Sequence, residues 1–168
     1  DACVWTAPTA EEVVITDGRF TDCAFGIYVQ ESDRARIERN EVEGRPNVRE
    51  ADRGNGIHLF DASFVTVADN LVTGARDGYF VSATDDSLIE GNRAVHVRYG
   101  VHYMWSHRNV LRGNVVSDSL TGFALMQSRD LLVEGNVALR NRRVGMLVRD
   151  GEDCRYVGNR LIANGQGL

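Results

Sequence analysis

Apolar residues alternate with other residues over short stretches of this chain, and each stretch begins at a glycine. The first and third residues after the glycine are apolar, as in the pairs Ile27/Val29 and Val101/Tyr103. Alternation with a period of two is typical of a β-strand that buries one face. The glycines that open these strands are Gly26, Gly56, Gly78, Gly100, Gly122 and Gly145.

The spacing of these glycines defines a repeat. From Gly56 onward the steps to the next glycine are 22, 22, 22, 23 and 22 residues, ending at Gly167. Two further apolar positions in each repeat predict two more short strands, and none of the three strands can bury its apolar face without a neighbouring repeat. We therefore predict an all-β fold, a single right-handed parallel β-helix of about 22 residues per coil with three short strands per coil.

One asparagine recurs in each repeat, fourteen residues after the opening glycine, and predicts a ladder of side-chain amides at one corner of the solenoid. We expect residues 1–168 to form one domain. Within it, residues 1–25 are predicted to be an incomplete first coil and residues 56–166 to be regular coils. Residues 45–55, polar and charged, are predicted to be a loop inserted at a corner, with no assigned role.

Composition narrows the class of protein. The net charge of −5 argues against a nucleic-acid partner, and no apolar run is long enough to insert into a membrane. The first residues lack the pattern of a signal peptide. Of the three cysteines, the pair Cys3 and Cys23 could close a bridge across the first two coils, which would leave Cys154 buried and free.

The outward side of the glycine-initiated strands carries the candidate chemistry. Because the first and third residues face inward, the second and fourth face outward, and stacking places Met104 beside Met126 with His102 on the same face. Two thioethers and an imidazole are ligands that Cu(I) prefers. His58 is a further candidate metal ligand, although at about 10 Å it is too far from His102 to share one ion.

Two other interpretations of this face stay open. Its apolar and aromatic side chains are also suited to a partner protein or to sugar rings, and the candidate contact residues are Phe60, Phe80, Trp105 and His107. Asp85 and Asp86 are expected to lie in a solvated turn, so we predict no catalytic residue and no enzyme. Polysaccharide lyase or hydrolase activity remains the enzymatic alternative.

The segment VHYMWS at residues 101–106 resembles the NosD family, whose coils carry a similar Val-His-Tyr-Met segment. The flanking segments RDGYFV at 76–81 and GFALMQSRD at 122–130 share the resemblance, which is best over residues 56–159. Members of that family are periplasmic accessory proteins that act with an ABC transporter in maturing the copper sites of nitrous oxide reductase. The resemblance implies a periplasmic or otherwise exported protein that handles copper. Its partners would be copper ABC transporter subunits, a copper chaperone or nitrous oxide reductase, with carbohydrate as a further ligand.

Overall fold

The computed structural model describes residues 1–167, and they form three parallel β-sheets of seven strands each. Sheet A contains β1 (Ala2–Thr6), β4 (Phe25–Gln30), β7 (Ile57–Phe60), β10 (Asp77–Ser82), β13 (Tyr99–Met104), β16 (Thr121–Met126) and β19 (Met146–Arg149). Sheet B contains β2 (Val14–Thr16), β5 (Arg36–Glu38), β8 (Thr66–Ala68), β11 (Leu88–Glu90), β14 (Val110–Arg112), β17 (Leu132–Glu134) and β20 (Arg155–Val157). Sheet C contains β3 (Arg19–Thr21), β6 (Glu41–Glu43), β9 (Leu71–Thr73), β12 (Arg93–Val95), β15 (Val115–Ser117), β18 (Val137–Leu139) and β21 (Arg160–Ile162).

Each strand pairs in parallel with the equivalent strand of the next coil, so the chain is a parallel β-helix with three strands per coil. This confirms the predicted fold class. The first 25 residues, where we expected an incomplete coil, contribute β1, β2 and β3, one strand to each sheet. Among residues 1–167 the helical structure is limited to one short 3-10 turn, Glu50–Asp52, which lies in the inserted loop.

The inward columns form a single core that runs along the solenoid. Fully buried side chains include Ile57 and Leu59 of β7 and Tyr79 and Val81 of β10, as the period-two pattern predicts. The core continues through the apolar positions of sheets B and C, such as Ile89. Since every coil buries its apolar face only against the coils beside it, the three sheets are stable only as a stack.

The asparagines form the predicted ladder. Asn114 is 1% exposed, and its Oδ1 accepts hydrogen bonds from the backbone N–H of Asn92 at 3.0 Å and from the Asn92 side-chain amide at 3.1 Å. Its own Nδ2 donates to the Ile89 carbonyl at 2.8 Å and to Asn136 Oδ1 at 3.0 Å. Each amide therefore satisfies buried backbone groups of the corner, which is a structural role.

The cysteines agree only in part with what the sequence predicts. Cys3 and Cys23 form a disulfide with their Cα atoms 5.6 Å apart. Cys154 is half-buried rather than buried, and its thiol donates to the Glu152 carbonyl at 3.1 Å.

The pair Asp85 and Asp86 is bound by Arg108, at 3.0 Å and 2.8 Å respectively, in a solvent-facing turn.

Candidate functional site

The outward face of sheet A carries one ring per coil over five successive coils, and we name this row of side chains the ring column. Strand register aligns Trp5 with Tyr28, Tyr28 with His58, His58 with Phe80, and Phe80 with His102. From Tyr28 to His102 the rings touch in sequence. Tyr28 stacks on His58 with centroids 4.5 Å apart, while Phe80 meets His58 at 4.7 Å and His102 at 4.8 Å in edge-to-face contacts. Such contacts stabilise a face that would otherwise be poorly packed.

His102 is held on this face by a hydrogen bond to a buried carboxylate. Its Nδ1 lies 2.9 Å from Oδ2 of Asp77, a side chain that is only 1% exposed. Arg98 binds the same carboxylate with two hydrogen bonds, from Nε at 2.8 Å and from Nη2 at 2.6 Å. The guanidinium of Arg98 in turn lies over the ring of Tyr99, 4.4 Å from its centroid.

The charge state of Asp77 fixes the proton on His102. Burial raises the pKa of Asp77, but hydrogen bonds from His102 and Arg98 outweigh burial and hold that pKa below its ordinary value. An ionised carboxylate accepts hydrogen bonds and cannot donate them, so Nδ1 of His102 carries the proton. The other ring nitrogen, Nε2, makes no hydrogen bond within residues 1–167.

His102 lines a groove of about 440 Å³ on the same face, which we name the sheet A groove. Its floor and walls are formed by Phe25, Asn55, His58, Arg76, Asp77, Phe80, Arg98, His102 and Met104. Asn55 belongs to the inserted loop, and the neighbouring Gly54 carbonyl accepts a hydrogen bond from the Arg76 backbone at 2.8 Å. The loop is therefore part of the groove wall, which the sequence did not indicate.

The candidate thioether ligands lie where stacking predicted. Met104 and Met126 are register partners at the ends of β13 and β16, both are half-buried, and Met104 lines the sheet A groove with His102. Within residues 1–167 no group of three or more His, Cys, Asp or Glu side chains is arranged to hold a metal ion. Any soft-metal site on this face therefore depends on the thioethers.

His58 is separated from His102 by the ring of Phe80. Its Nδ1 lies 3.4 Å from the Asn55 side-chain amide, and its Nε2 is buried with no hydrogen-bond partner in the described chain. Burial lowers the pKa of His58 to about 4, so the ring is neutral at pH 7. These contacts make His58 a packed member of the ring column, and its role as a metal ligand remains a prediction.

The four candidate contact residues occupy different surroundings. Phe80 is half-buried in the ring column, whereas Phe60, on the neighbouring coil, and Trp105 are exposed, Trp105 by 53%. Trp105 is the left-handed residue that directly follows β13. His107 is part of a corner ladder, since its backbone N–H donates to Asp85 at 2.7 Å and its Nδ1 accepts from the Arg129 backbone at 3.2 Å.

Sequence reasoning missed Asp77 and Arg98. By simple alternation, Asp77 belongs on the side of the strand that carries Tyr79, away from His102. The observed pairing joins Asp77 to Tyr99 and then Tyr79 to Val101, and it skips the two glycines between them. This irregularity brings Asp77 to the outward face. The signal that was available was an acidic residue directly before a repeat glycine, where other coils have an aromatic or neutral residue.

Taken together, the fold and this face define a parallel β-helix with an outward groove that carries imidazole and thioether groups. The chain belongs to the NosD family, because the family model described as "Periplasmic copper-binding protein (NosD)" matches residues 38–168. No helix among residues 1–167 has the length and apolar character needed to cross a membrane.

Two curated relatives carry the same family name. A probable ABC transporter binding protein NosD from Stutzerimonas stutzeri is 41% identical over 78 residues, and one from Pseudomonas aeruginosa is 37% identical over 78 residues. Each match covers 46% of this chain and 18% of the relative, so the matched region is a small part of those proteins. The crystal structure of the periplasmic alginate epimerase AlgG aligns with 90% of this chain and 50% of that one, with a TM-score of 0.50 and 14% identity, which shows the fold alone.

Proposed function

We propose that this chain binds Cu(I) as cargo on the outward face of sheet A and acts in the periplasm with an ABC transporter. His102, Met104 and Met126 would be the ligands. The family description as a periplasmic copper-binding protein supports the copper, and the relatives' name, ABC transporter binding protein, supports the partner. Copper delivery to nitrous oxide reductase is the process that the proposal assigns to this module.

The observation that carries the proposal is the way in which His102 is held. Metal-binding histidines commonly donate one ring N–H to a carboxylate, which fixes the ring and leaves the other nitrogen as a better ligand. Asp77 accepts from Nδ1 of His102 in this manner, and Nε2 makes no hydrogen bond within residues 1–167. The ring is therefore preorganised, and metal binding at Nε2 would break no hydrogen bond of the described chain.

The remaining donors fit a soft monovalent ion. Thioethers bind Cu(I) well and compete poorly for hard cations such as Mg²⁺ or Ca²⁺. Met104 and Met126 are neutral, so the proposed set with a neutral imidazole adds no charge to the ion. Such a set suits an ion that must be released again, because it lacks the thiolates that hold copper most tightly.

A competition assay tests the copper site. The protein would be titrated anaerobically against a chromophoric Cu(I) chelator, and we expect Met104→Leu with Met126→Leu to lower the Cu(I) affinity at least tenfold while conserving volume. Met146→Leu is the matched control, because Met146 is in the core and 2% exposed, and it should leave the affinity unchanged. Absence of binding by the unmodified protein, or equal binding by the double variant, would refute the copper site.

A second experiment addresses the transporter. Trp105 is exposed and directly follows the proposed ligand Met104, and Phe60 is exposed two coils away in the same column. We therefore expect the double change Trp105→Ser and Phe60→Ser to reduce co-purification with the cognate ABC transporter. Repeating the capture with a Cu(I) chelator separates two functions. Capture that needs copper supports the delivery role, whereas capture of equal strength without copper supports a metal-free interaction scaffold.

A further inference from the structure

The two outward methionines differ from the third in their access to solvent. Met104 and Met126 are half-buried at the ends of β13 and β16, whereas Met146 is in the core and 2% exposed. An oxidant dissolved in water therefore reaches the first two thioethers before the third. Oxidation converts a thioether into a polar sulfoxide, and methionine sulfoxide reductases reverse the reaction.

The residues that flank this pair suit a sulfoxide. Strand register gives the column Ser82, Met104, Met126 and Arg149, in which neighbours are about 4.8 Å apart. Ser82 places a hydroxyl donor beside Met104. Arg149 places a guanidinium beside Met126, and its side chain is 66% exposed and paired with Asp150 by one long contact of 3.5 Å. A sulfoxide oxygen at either methionine thus has a hydrogen-bond donor on the adjacent coil, so the oxidised face stays compatible with the fold.

Oxidation of the pair would change which ions the face binds. A thioether sulfur is a soft ligand that suits Cu(I), whereas a sulfoxide presents a hard oxygen to an ion. The imidazole of His102 is not altered by this reaction. The oxidised face would therefore keep one of the three proposed copper ligands and lose both soft ones.

We propose that Met104 and Met126 form a redox modification site, at which a peroxide converts both thioethers to sulfoxides and so switches off copper binding. In each step the sulfur donates an electron pair to one oxygen atom of hydrogen peroxide. The S=O bond forms as the O–O bond breaks, and the leaving hydroxide takes the remaining proton and departs as water. The sulfur is oxidised by two electrons and the peroxide is reduced by two. The selective oxidation is independent of copper, whereas its consequence rests on the proposed function.

Peptide mass spectrometry tests the selectivity. The metal-free protein would be treated with hydrogen peroxide, quenched at intervals and digested. We expect Met104 and Met126 each to gain one oxygen atom at least tenfold faster than Met146, which serves as the control within the same chain. Equal rates at the three methionines would overturn the modification site, whatever the copper measurements show.

Variants of the two donors test the fit of the oxidised form. Oxidation should shift the melting temperature of the unmodified protein by less than about 2 °C, and that of Ser82→Ala with Arg149→Leu downward by about 4 °C or more. Ser117→Ala with Arg93→Leu, on the outward side of sheet C, is the matched control and should behave as the unmodified protein does. An equal shift in the two double variants would contradict the assigned donors.

Chelator competition measures the consequence for copper. The variant Cys154→Ser is the background, because the free thiol of Cys154 also reacts with peroxide. Once the peroxide is removed, Cu(I) affinity should be at least tenfold lower, and sulfoxide reductases for both epimers should restore it. No Cu(I) binding before oxidation would refute the proposed function. Binding that is present before oxidation and survives oxidation of both methionines would refute only the switch, as would a loss that the reductases do not reverse.

Discussion

The carboxylate of Asp77 lies 2.9 Å from Nδ1 of His102, on a face that is otherwise built from aromatic rings and thioethers. The two residues come from adjacent coils, and Arg98 neutralises the carboxylate from a third position. Burying a charge is costly unless it is paired and hydrogen-bonded, so these three side chains are stable only together. A change at Asp77 should therefore alter both the free energy of unfolding and the position of the proton on the candidate ligand His102.

Replacing Asp77 by Asn should separate these two effects. The amide no longer fixes the proton on Nδ1, so we expect Cu(I) affinity to fall about 10- to 100-fold, as for other supporting residues of metal ligands. Loss of the charge leaves Arg98 unpaired and should lower the free energy of unfolding by about 1–3 kcal/mol, a value reduced because Arg98 is partly exposed. Chelator competition and urea denaturation measure the two changes.

The same carboxylate-to-amide change at Asp118 is the control. Asp118 pairs with Arg140 at 2.7 Å at an exposed corner, where ion pairs contribute at most about 1 kcal/mol. Asp118→Asn should leave the copper affinity unchanged. A folded Asp77→Asn variant with unaltered Cu(I) affinity would show that Asp77 does not prepare His102 for a metal.

His58 should make the protein less stable in mild acid. Burial lowers its pKa from 6.5 to about 4 in the folded chain, whereas the unfolded chain keeps the ordinary value. Between these values the unfolded state binds the additional proton, so stability falls as the pH is lowered from about 6.5 to about 4, by roughly 1–3 kcal/mol. Above pH 6.5 the residue has no such effect.

The variant His58→Phe keeps an aromatic ring between Tyr28 and Phe80 and removes the titration. We expect its melting temperature to change less between pH 7 and pH 4.5 than that of the unmodified protein. Asp77, whose depressed pKa contributes stability that is lost only as the pH falls below about 3.8, affects both proteins equally over this range. Identical dependence of the melting temperature on pH in the two proteins would mean that the pKa of His58 is the same in the folded and the unfolded chain.

Much of the fold, and part of the site, could be predicted from the sequence. Each coil repeats the same pattern, so Met104 and Met126 were placed side by side by counting residues, and the structure pairs them. Asp77 was missed because the strand pairing is irregular at Gly78, and simple alternation assigns its side chain to the wrong face. The wall formed by the inserted loop could not be predicted either, since a loop of irregular structure has no period from which its contacts can be counted.

Two inward tyrosines differ in one hydrogen bond. The hydroxyl of Tyr79 lies 2.8 Å from the Asn70 carbonyl and 3.0 Å from the Arg93 carbonyl, whereas the buried hydroxyl of Tyr103 has no partner within residues 1–167. An unpaired buried hydroxyl destabilises the folded state. Tyr103→Phe should therefore leave stability unchanged or raise it by about 1 kcal/mol, while Tyr79→Phe should lower it by about 1–2 kcal/mol. Chemical denaturation measures the free energy of unfolding of both variants. The prediction is wrong if Tyr103→Phe destabilises the chain more than Tyr79→Phe does.

The repeat glycines are required by close packing between coils. A Cβ added at Gly100 would overlap the side chain of Val116 and lie 2.6 Å from the backbone carbonyl oxygen of Gly122, whereas one added at Gly135 would meet no atom within 4 Å. Gly135 instead has a left-handed backbone, with φ of +63°, where alanine costs about 1–2 kcal/mol.

We therefore expect Gly100→Ala to destabilise the chain by more than about 4 kcal/mol, or to prevent folding, because the Gly122 carbonyl belongs to the sheet A backbone and cannot move away. Gly135→Ala should lower the melting temperature by only a few degrees. Soluble yield and thermal melting of the two variants test this order. If Gly100→Ala were as stable as Gly135→Ala, the glycines would serve the turns of the chain and not the contact between coils, and the spacing of sheet A would have to adjust to a side chain at that position.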